Sequence, residues 1–165
     1  MVVGRVQALA SVYETVETDI QLLGATAIED LLQAEVPETI ALLRRANIRF
    51  WMLTGDKKST AKTIGETCKL LQLDSASQLL DVEGEKQAEV KKSLDDAMRQ
   101  RSQLLSDGSI YSIIVTGQTL KVLLEHYKQE FADLSLGASA VICCRVTPQQ
   151  KADVVGIVKD TKALT

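Results

Sequence analysis

The chain has 165 residues, of which 45% are hydrophobic and 25% are charged, and its formal net charge is -3. This length suffices for one domain that buries about 70% of the surface of its unfolded chain, and the composition is that of a folded soluble protein rather than a disordered one. The negative charge disfavours nucleic acid as a partner, no apolar run is long enough to cross a membrane, and the N-terminus lacks the pattern of a signal peptide.

The first third of the sequence predicts alternating helices and strands. Apolar residues at helical spacing predict an amphipathic helix over residues 5–19, and the apolar run at 20–25 predicts a strand. Pro37 indicates that a second helix begins near Val36, and Asn47 can take the left-handed conformation that ends it.

A second apolar run begins at Arg49 and ends at Leu53. It is too short for a helix and predicts a strand buried on both faces, as in a parallel sheet. Residues 57–71 then carry apolar side chains at helical spacing. The strand at 20–25, the helix that begins near Val36 and the strand at 49–53 predict a βαβ unit and therefore a parallel sheet flanked by helices.

Residues 74–109 are polar and rich in lysine and glutamate. Their thin apolar stripe predicts an insertion formed by one long, mostly solvated helix, and a flexible connector is the alternative. Strands are predicted at 111–116 and 140–144. After the second of these, Thr147 is expected to cap a helix whose first residue is Pro148.

The cysteines and the histidine do not form a pattern typical of catalysis or zinc binding. Cys68, Cys143 and Cys144 are odd in number, and the last two should point to opposite faces of a strand. We expect buried, reduced thiols. His126 is the only histidine, and its position near a helix end indicates a surface role.

Charged and polar residues follow several of the predicted strands. In an open parallel sheet, ligands bind at the carboxyl ends of the strands. Arg145 and Lys151 could neutralise phosphate charge, and the hydroxyl of Thr54 could contact a phosphoryl oxygen. The alternative is a simple turn in which Asp56 caps the following helix. The residues placed at this edge are Asp30, Thr54, Gly55, Asp56, Arg145 and Lys151.

Four motifs in order resemble the phosphorylation domain of a P-type ATPase, and within that family the phospholipid flippases. They lie at residues 23–30, 36–40, 53–57 and 142–148, the last followed by Lys151. The resemblance covers most of the chain and is weakest in the polar segment. It implies a truncated Rossmann-like fold of the haloacid-dehalogenase superfamily, with residues 1–165 as a single partial domain that carries the insertion.

The resemblance also implies roles for the residues at the strand ends. Thr54 and Lys151 would be catalytic, binding the transferring phosphoryl group and stabilising its charge. Gly55 and Asp56 would complete the phosphate and nucleotide contacts, Arg145 would reach the ribose, and Asp30 would lie near the same site.

Two motifs of the family are missing from the sequence. The nucleophilic aspartate of Asp-Lys-Thr-Gly-Thr and the magnesium-binding Gly-Asp-Gly do not occur, so no metal ligand is assigned here. We therefore expect a fragment that requires no cofactor and does not hydrolyse ATP. Its parent would be a membrane enzyme that uses Mg²⁺ and ATP to form an aspartyl-phosphate intermediate and move phospholipid between leaflets.

The parent would expose this part on the cytosolic face of the membrane. Its partners would be ATP, phospholipid and the membrane, with an accessory subunit as a further candidate and no nucleic acid. Two rivals stay open at this point. One is a non-catalytic binding or regulatory module with the same scaffold, and the other is a small soluble phosphatase of the same superfamily.

Overall fold

The computed structural model describes residues 4–27, 31–72 and 77–160, which divide into two compact units. The first unit extends to Leu31 and contains helix α1 (Arg5–Val16). The strand predicted at residues 20–25 is wrong, because this segment has no regular structure and the side chains of Leu22 and Leu23 are 88% and 93% exposed. A strand needs a neighbour for its backbone groups, and no described strand pairs with this one.

The second unit is an α/β structure with a four-stranded sheet. All its strand pairs are parallel and the strand order is β1-β4-β3-β2, which confirms the predicted fold class and is consistent with a Rossmann-like haloacid-dehalogenase fold. The elements in chain order are α2 (Val36–Arg45), β1 (Phe50–Leu53), α3 (Lys58–Thr67), β2 (Ser77–Val82), α4 (Gln87–Ser106), β3 (Ile110–Thr116), α5 (Gly117–His126), α6 (Lys128–Leu136), β4 (Ala140–Cys144) and α7 (Pro148–Asp160).

The sheet lies between two hydrophobic cores, one on each face. Strand β4 is buried along its whole length, and its side chains alternate between the cores as a pleated strand requires. Cys143 packs in the core formed with α4, α5, α6 and α7, whereas Cys144 packs with α3 on the other face. All three cysteines are buried and unpaired, and burial raises the pKa of the Cys143 thiol to about 12, so this thiol is unreactive.

The described part of the polar segment, residues 77–109, has regular secondary structure and packs one face against the sheet. It contains an edge strand, β2, which was not predicted, and a helix, α4, whose side chains at Val90, Leu94 and Ala97 are buried against the sheet. The long helix that the sequence predicted is therefore present, and only three of its residues are buried, whereas the alternative of a flexible connector is wrong. A narrow apolar stripe is enough to bury one face of a long helix.

Several local predictions are confirmed. Helix α2 has proline in its first turn, and Asn47 just beyond its end has a φ of 62°. Strand β4 has the predicted bounds, and α7 begins at Pro148. His126 is the last residue of α5 and is exposed. None of the helices in the described ranges is both long enough and apolar enough to cross a membrane.

Candidate phosphate-binding edge of the sheet

Two loops at the carboxyl edge of the sheet are joined by backbone hydrogen bonds. β1 and β4 are neighbours, so the loops that follow them run side by side. The Val146 amide donates to the Thr54 carbonyl at 3.1 Å, and the Arg145 amide donates to the Asp56 carbonyl at 3.0 Å. This ladder holds the Thr54–Asp56 loop against the segment that leads to Lys151.

Asp56 stabilises its own loop and does not cap the next helix. The Thr54 hydroxyl donates to Asp56 Oδ2 at 2.6 Å, and the Asp56 amide donates back to Thr54 Oγ1 at 3.2 Å. The N-cap of α3 is Lys57, and no side chain accepts a hydrogen bond there. The interpretation of Asp56 as an N-cap is therefore wrong. The first-turn amides of α3 have no side-chain cap, and such amides attract anions.

The two glycines at this edge have different surroundings. A Cβ at Gly55 would have no atom within 4 Å, so the space in front of this loop is open. A Cβ at Gly117 would lie 2.3 Å from the Arg145 carbonyl oxygen, which no real structure tolerates. Gly117, the first residue of α5 directly after β3, is thus required for close packing against the β4 loop, and Gly55 leaves room for a ligand.

The loop after β4 is fixed by a reciprocal cap. The backbone amide of Gln150 donates a hydrogen bond to the Thr147 hydroxyl at 3.3 Å. The backbone amide of Thr147 donates in return to the side-chain Oε1 of Gln150 at 3.0 Å. The side-chain NH₂ of Gln150 donates to the Gly117 carbonyl at 2.6 Å. Arg145 is exposed with a φ of 53°, a left-handed conformation that turns its side chain out of the strand.

The structure brings together most of the residues that the sequence placed here. Thr54, Gly55, Asp56 and Arg145 share one hydrogen-bonded loop pair, and Lys151 lies in the first turn of α7, where its amide bonds the Thr147 carbonyl at 3.0 Å. Lys151 makes no ion pair with another described residue. Asp30 lies outside the described residues.

Sequence reasoning missed one cluster at the same edge. Lys58, the first residue of α3, contacts the carboxylates of Asp81 and Glu83, at the end of β2. Because β2 was not predicted, the sequence analysis had no basis for placing Asp81 and Glu83 beside Lys58. The available signal was Leu80 and Val82, whose period-two spacing around Asp81 is typical of a strand.

The charges of this cluster are strongly coupled. Burial disfavours the Lys58 ammonium, but its hydrogen bonds to Asp81 and Glu83 outweigh burial and raise the pKa of Lys58. Burial raises the pKa of Asp81 against the effect of Lys58, because Asp81 is the less exposed carboxylate. The hydrogen bond from Lys58 lowers the pKa of Glu83. The lysine thus contacts both carboxylates but can balance the charge of only one of them.

These residues do not fit a magnesium site. The Asp56 carboxylate accepts a hydrogen bond from Thr54, and the carboxylates of Asp81 and Glu83 form ion pairs with Lys58. Among the residues whose structure is described, no group of three histidine, cysteine or acidic side chains could hold a metal ion. The edge offers hydroxyl, amide and cationic groups, which suit an anion.

Comparison with known proteins finds relatives over nearly the whole chain, although no family model matches it. The chain is 40% identical over 159 residues to phospholipid-transporting ATPase 2 of Arabidopsis thaliana, and 42% identical over 182 residues to phospholipid-transporting ATPase ID of Homo sapiens. It is 38% identical over 204 residues to phospholipid-transporting ATPase IC of Xenopus tropicalis.

Each of these alignments includes 96% of this chain but only 14–16% of the relative, so the chain spans about one seventh of the length of the proteins that it matches. Because the alignments include almost the whole chain, they include the helices and strands that carry the candidate site. The resemblance carried by the four motifs is thereby confirmed, and the chain corresponds to one segment of the phospholipid-transporting P-type ATPases.

Proposed function

We propose that this chain is part of the phosphorylation domain of an ATPase that moves phospholipid between membrane leaflets. The observation that supports the proposal is the identity of 37–42% to phospholipid-transporting ATPases over 94–96% of the chain. We further propose that residues 1–165 belong to one partial domain of that enzyme, exposed on the cytosolic face of its membrane.

In this proposal the carboxyl edge of the sheet holds the phosphate groups of ATP. The open space at Gly55 and the uncapped amides of α3 receive phosphoryl oxygens, with the Thr54 hydroxyl as a further donor. Thr54 then exchanges its bond to Asp56 for a bond to phosphate. Lys151 stabilises the charge of the transferring group, and Arg145 contacts the nucleotide.

The remaining chemical groups lie elsewhere in the parent. The phosphoryl group passes from ATP to an aspartate that these 165 residues do not supply, and water later releases it. Magnesium would neutralise phosphate charge through ligands that are also supplied elsewhere. We therefore propose that the isolated chain binds phosphate groups but does not hydrolyse ATP and needs no cofactor of its own. An accessory subunit would bind the parent enzyme.

The test is to replace Lys151 with alanine in the full-length enzyme and to measure formation of the phosphoenzyme from radiolabelled ATP. Loss of one preorganised charge-stabilising group costs about 3 kcal/mol, so we expect the rate to fall by at least about 100-fold. Lys159→Ala is the matched control, because Lys159 lies in the same helix but at its other end. An unchanged rate in Lys151→Ala would reject the proposed role.

A second experiment separates this function from a non-catalytic module. The coding sequence on both sides of these 165 codons is determined in the source genome. The proposal requires the Asp-Lys-Thr-Gly-Thr motif upstream, Gly-Asp-Gly downstream and apolar spans around them. An open reading frame without these motifs would reject the ATPase and support the binding module.

A further inference from the structure

A second pocket lies at the opposite edge of the sheet from the candidate phosphate site. It has a volume of about 220 Å³ and is formed where β1, β3 and β4 begin and where α2 and α4 end. We call it the arginine pocket. Residues that line it include Arg44, Ile48, Arg49, Leu105, Ile110 and Tyr111.

The positive charge in the arginine pocket is not balanced by acidic side chains. None of the lining residues is acidic. Arg44 donates to the carbonyls of Lys69 and Leu70 at 3.0 and 3.1 Å and to the Ser139 hydroxyl at 2.5 Å, all of them neutral groups. The side chain of Arg49 forms no hydrogen bond or ion pair with any described residue.

Arg101 does not line the pocket, but its guanidinium group lies beside it. Its Nη2 lies 3.7 Å from the position that a Cβ would take at Gly137, a lining residue. Its one recorded hydrogen-bond partner in the described part of the chain is the Met98 sulfur at 3.9 Å. Burial raises the pKa of Tyr111, and the charges of Arg101 and Arg49 act in the opposite direction.

The rim of the pocket is apolar and open to solvent. Ile48, Leu105 and Ile110 are 48%, 51% and 43% exposed, although each is a large aliphatic residue at the mouth of the same pocket. Isolated exposed aliphatic residues need no explanation, but three around one cationic pocket form a patch. The patch offers an anion-binding floor and an apolar rim.

We infer that the arginine pocket binds the phosphate headgroup of an anionic phospholipid at a bilayer surface. The guanidinium groups match the phosphate in charge and in hydrogen-bonding geometry, and the aliphatic rim inserts at the boundary between headgroups and acyl chains. The chain carries a net charge of -3, so its overall charge repels such a surface and binding must depend on this local patch. The site goes beyond the proposed function, since ATP would bind at the opposite edge.

The test measures sedimentation of the 165-residue chain with vesicles of phosphatidylcholine alone or mixed with phosphatidic acid. We expect binding to the mixed vesicles only. Arg49→Ala and Arg101→Ala should each lower the partition coefficient about fivefold, the effect of one basic residue at an anionic surface. Leu105→Ser should lower it as well.

Matched variants make the result specific. Arg99→Ala removes the same charge from the same helix, but Arg99 pairs with Asp96, whereas the guanidinium group of Arg101 lies beside Gly137, which lines the pocket. Val155→Ser removes an equally exposed aliphatic residue from another helix. Both controls should bind like the unchanged chain, and circular dichroism checks that every variant is folded.

Three outcomes would overturn the inference. The first is absence of binding to phosphatidic acid vesicles. The second is an equal loss in Arg99→Ala and Arg101→Ala, which would indicate attraction by charge alone. The third is full displacement from the vesicles by soluble glycerol phosphate or by an acidic peptide at concentrations comparable to the lipid, which would identify a free phosphate or a protein segment as the ligand. None of these outcomes bears on the rate of phosphoenzyme formation in Lys151→Ala.

Discussion

At the scale of single residues, the two glycines of the candidate site differ in what they permit. Gly117 is in contact with the Arg145 carbonyl, and Gly55 borders open space. Alanine at Gly117 must push the β4 loop away from β3, and overpacking of this kind costs about 1–3 kcal/mol. We expect Gly117→Ala to lower the free energy of unfolding by about that amount, measured by urea denaturation with the fluorescence of Trp51.

Gly55→Ala is the control at the same edge of the sheet. Its φ lies outside the left-handed region and its Cβ would meet no atom, so we expect a change within about 0.5 kcal/mol. If Gly55→Ala is as destabilising as Gly117→Ala, the space in front of the Gly55 loop is not open. A stable Gly55→Ala variant with weakened phosphate binding would place the ligand against this loop.

Lys58 gives a prediction about pH. The folded-state pKa of Lys58 is raised above 10.5, so the stability that it contributes is fully present below the unfolded pKa and is lost as the pH rises through the folded value. The three side chains are partly exposed, so we expect Lys58→Gln to cost no more than about 1 kcal/mol at neutral pH.

The measurement is the unfolding free energy of both proteins from pH 7 to pH 11.5. The difference between them should shrink above pH 10.5. Lys57→Gln is the control, because Lys57 is exposed and makes no recorded ion pair in the described ranges. A difference that stays constant through this interval would show that Lys58 stabilises the fold without its charge.

At the scale of secondary-structure elements, α4 tests how the polar segment is packed. Leu94 is fully buried in the core on one face of the sheet, and Lys92 in the same helix is exposed. We expect Leu94→Ala to cost about 2–5 kcal/mol in unfolding free energy, and Lys92→Ala to change it by less than about 0.5 kcal/mol. If α4 did not pack against the sheet, both variants would change the unfolding free energy only slightly. Equilibrium denaturation of the two variants measures this difference.

The elements that sequence analysis predicted well are those with strong local signals. Strands β1 and β4 are continuous apolar runs, and Pro37 and Pro148 mark helix starts. The predicted burial of β1 on both faces is wrong, because β1 is half-buried and lies at the edge of the described sheet. Strand β2 was missed because it is an edge strand, with Leu80 and Val82 buried and Asp81 exposed. The apolar run at residues 20–25 was wrongly predicted to be a strand. Such a run forms a strand only if it pairs with a neighbouring strand, and the local sequence does not show whether a neighbour is present.

The same reasons explain what could be predicted of the candidate site. Thr54, Asp56 and Arg145 follow the two strands that were found, so the parallel sheet placed them together. The contacts of Lys58 depend on β2 and could not be predicted. The Gln150 contact with Gly117 depends on how closely β3 and β4 approach, which only the packed structure determines.

At the scale of the whole molecule, the two outer strands of the sheet, β1 and β2, differ in how well they are protected from pairing with a further strand. β2 carries Asp81, which is held by Lys58, and charged side chains at an edge discourage further pairing. β1 consists of four apolar residues. It pairs with β4 on one side, and on its other side it pairs with no strand in the described part of the chain. Beside it, Trp51, Leu53 and Val155 line an apolar cavity of about 320 Å³.

We therefore expect the isolated chain to self-associate through the β1 edge. An unpaired apolar strand beside an apolar cavity presents both backbone hydrogen-bonding groups and a surface to bury. Sedimentation velocity over a range of concentrations should show a reversible dimer. Val155→Lys puts a charge at the rim of the cavity and should shift the equilibrium to monomer, whereas Leu42→Lys, which places the same charge on an exposed position of α2, should not. If both variants dimerise like the unchanged chain, association uses another surface, and if the unchanged chain is monomeric throughout, the β1 edge does not recruit a second copy.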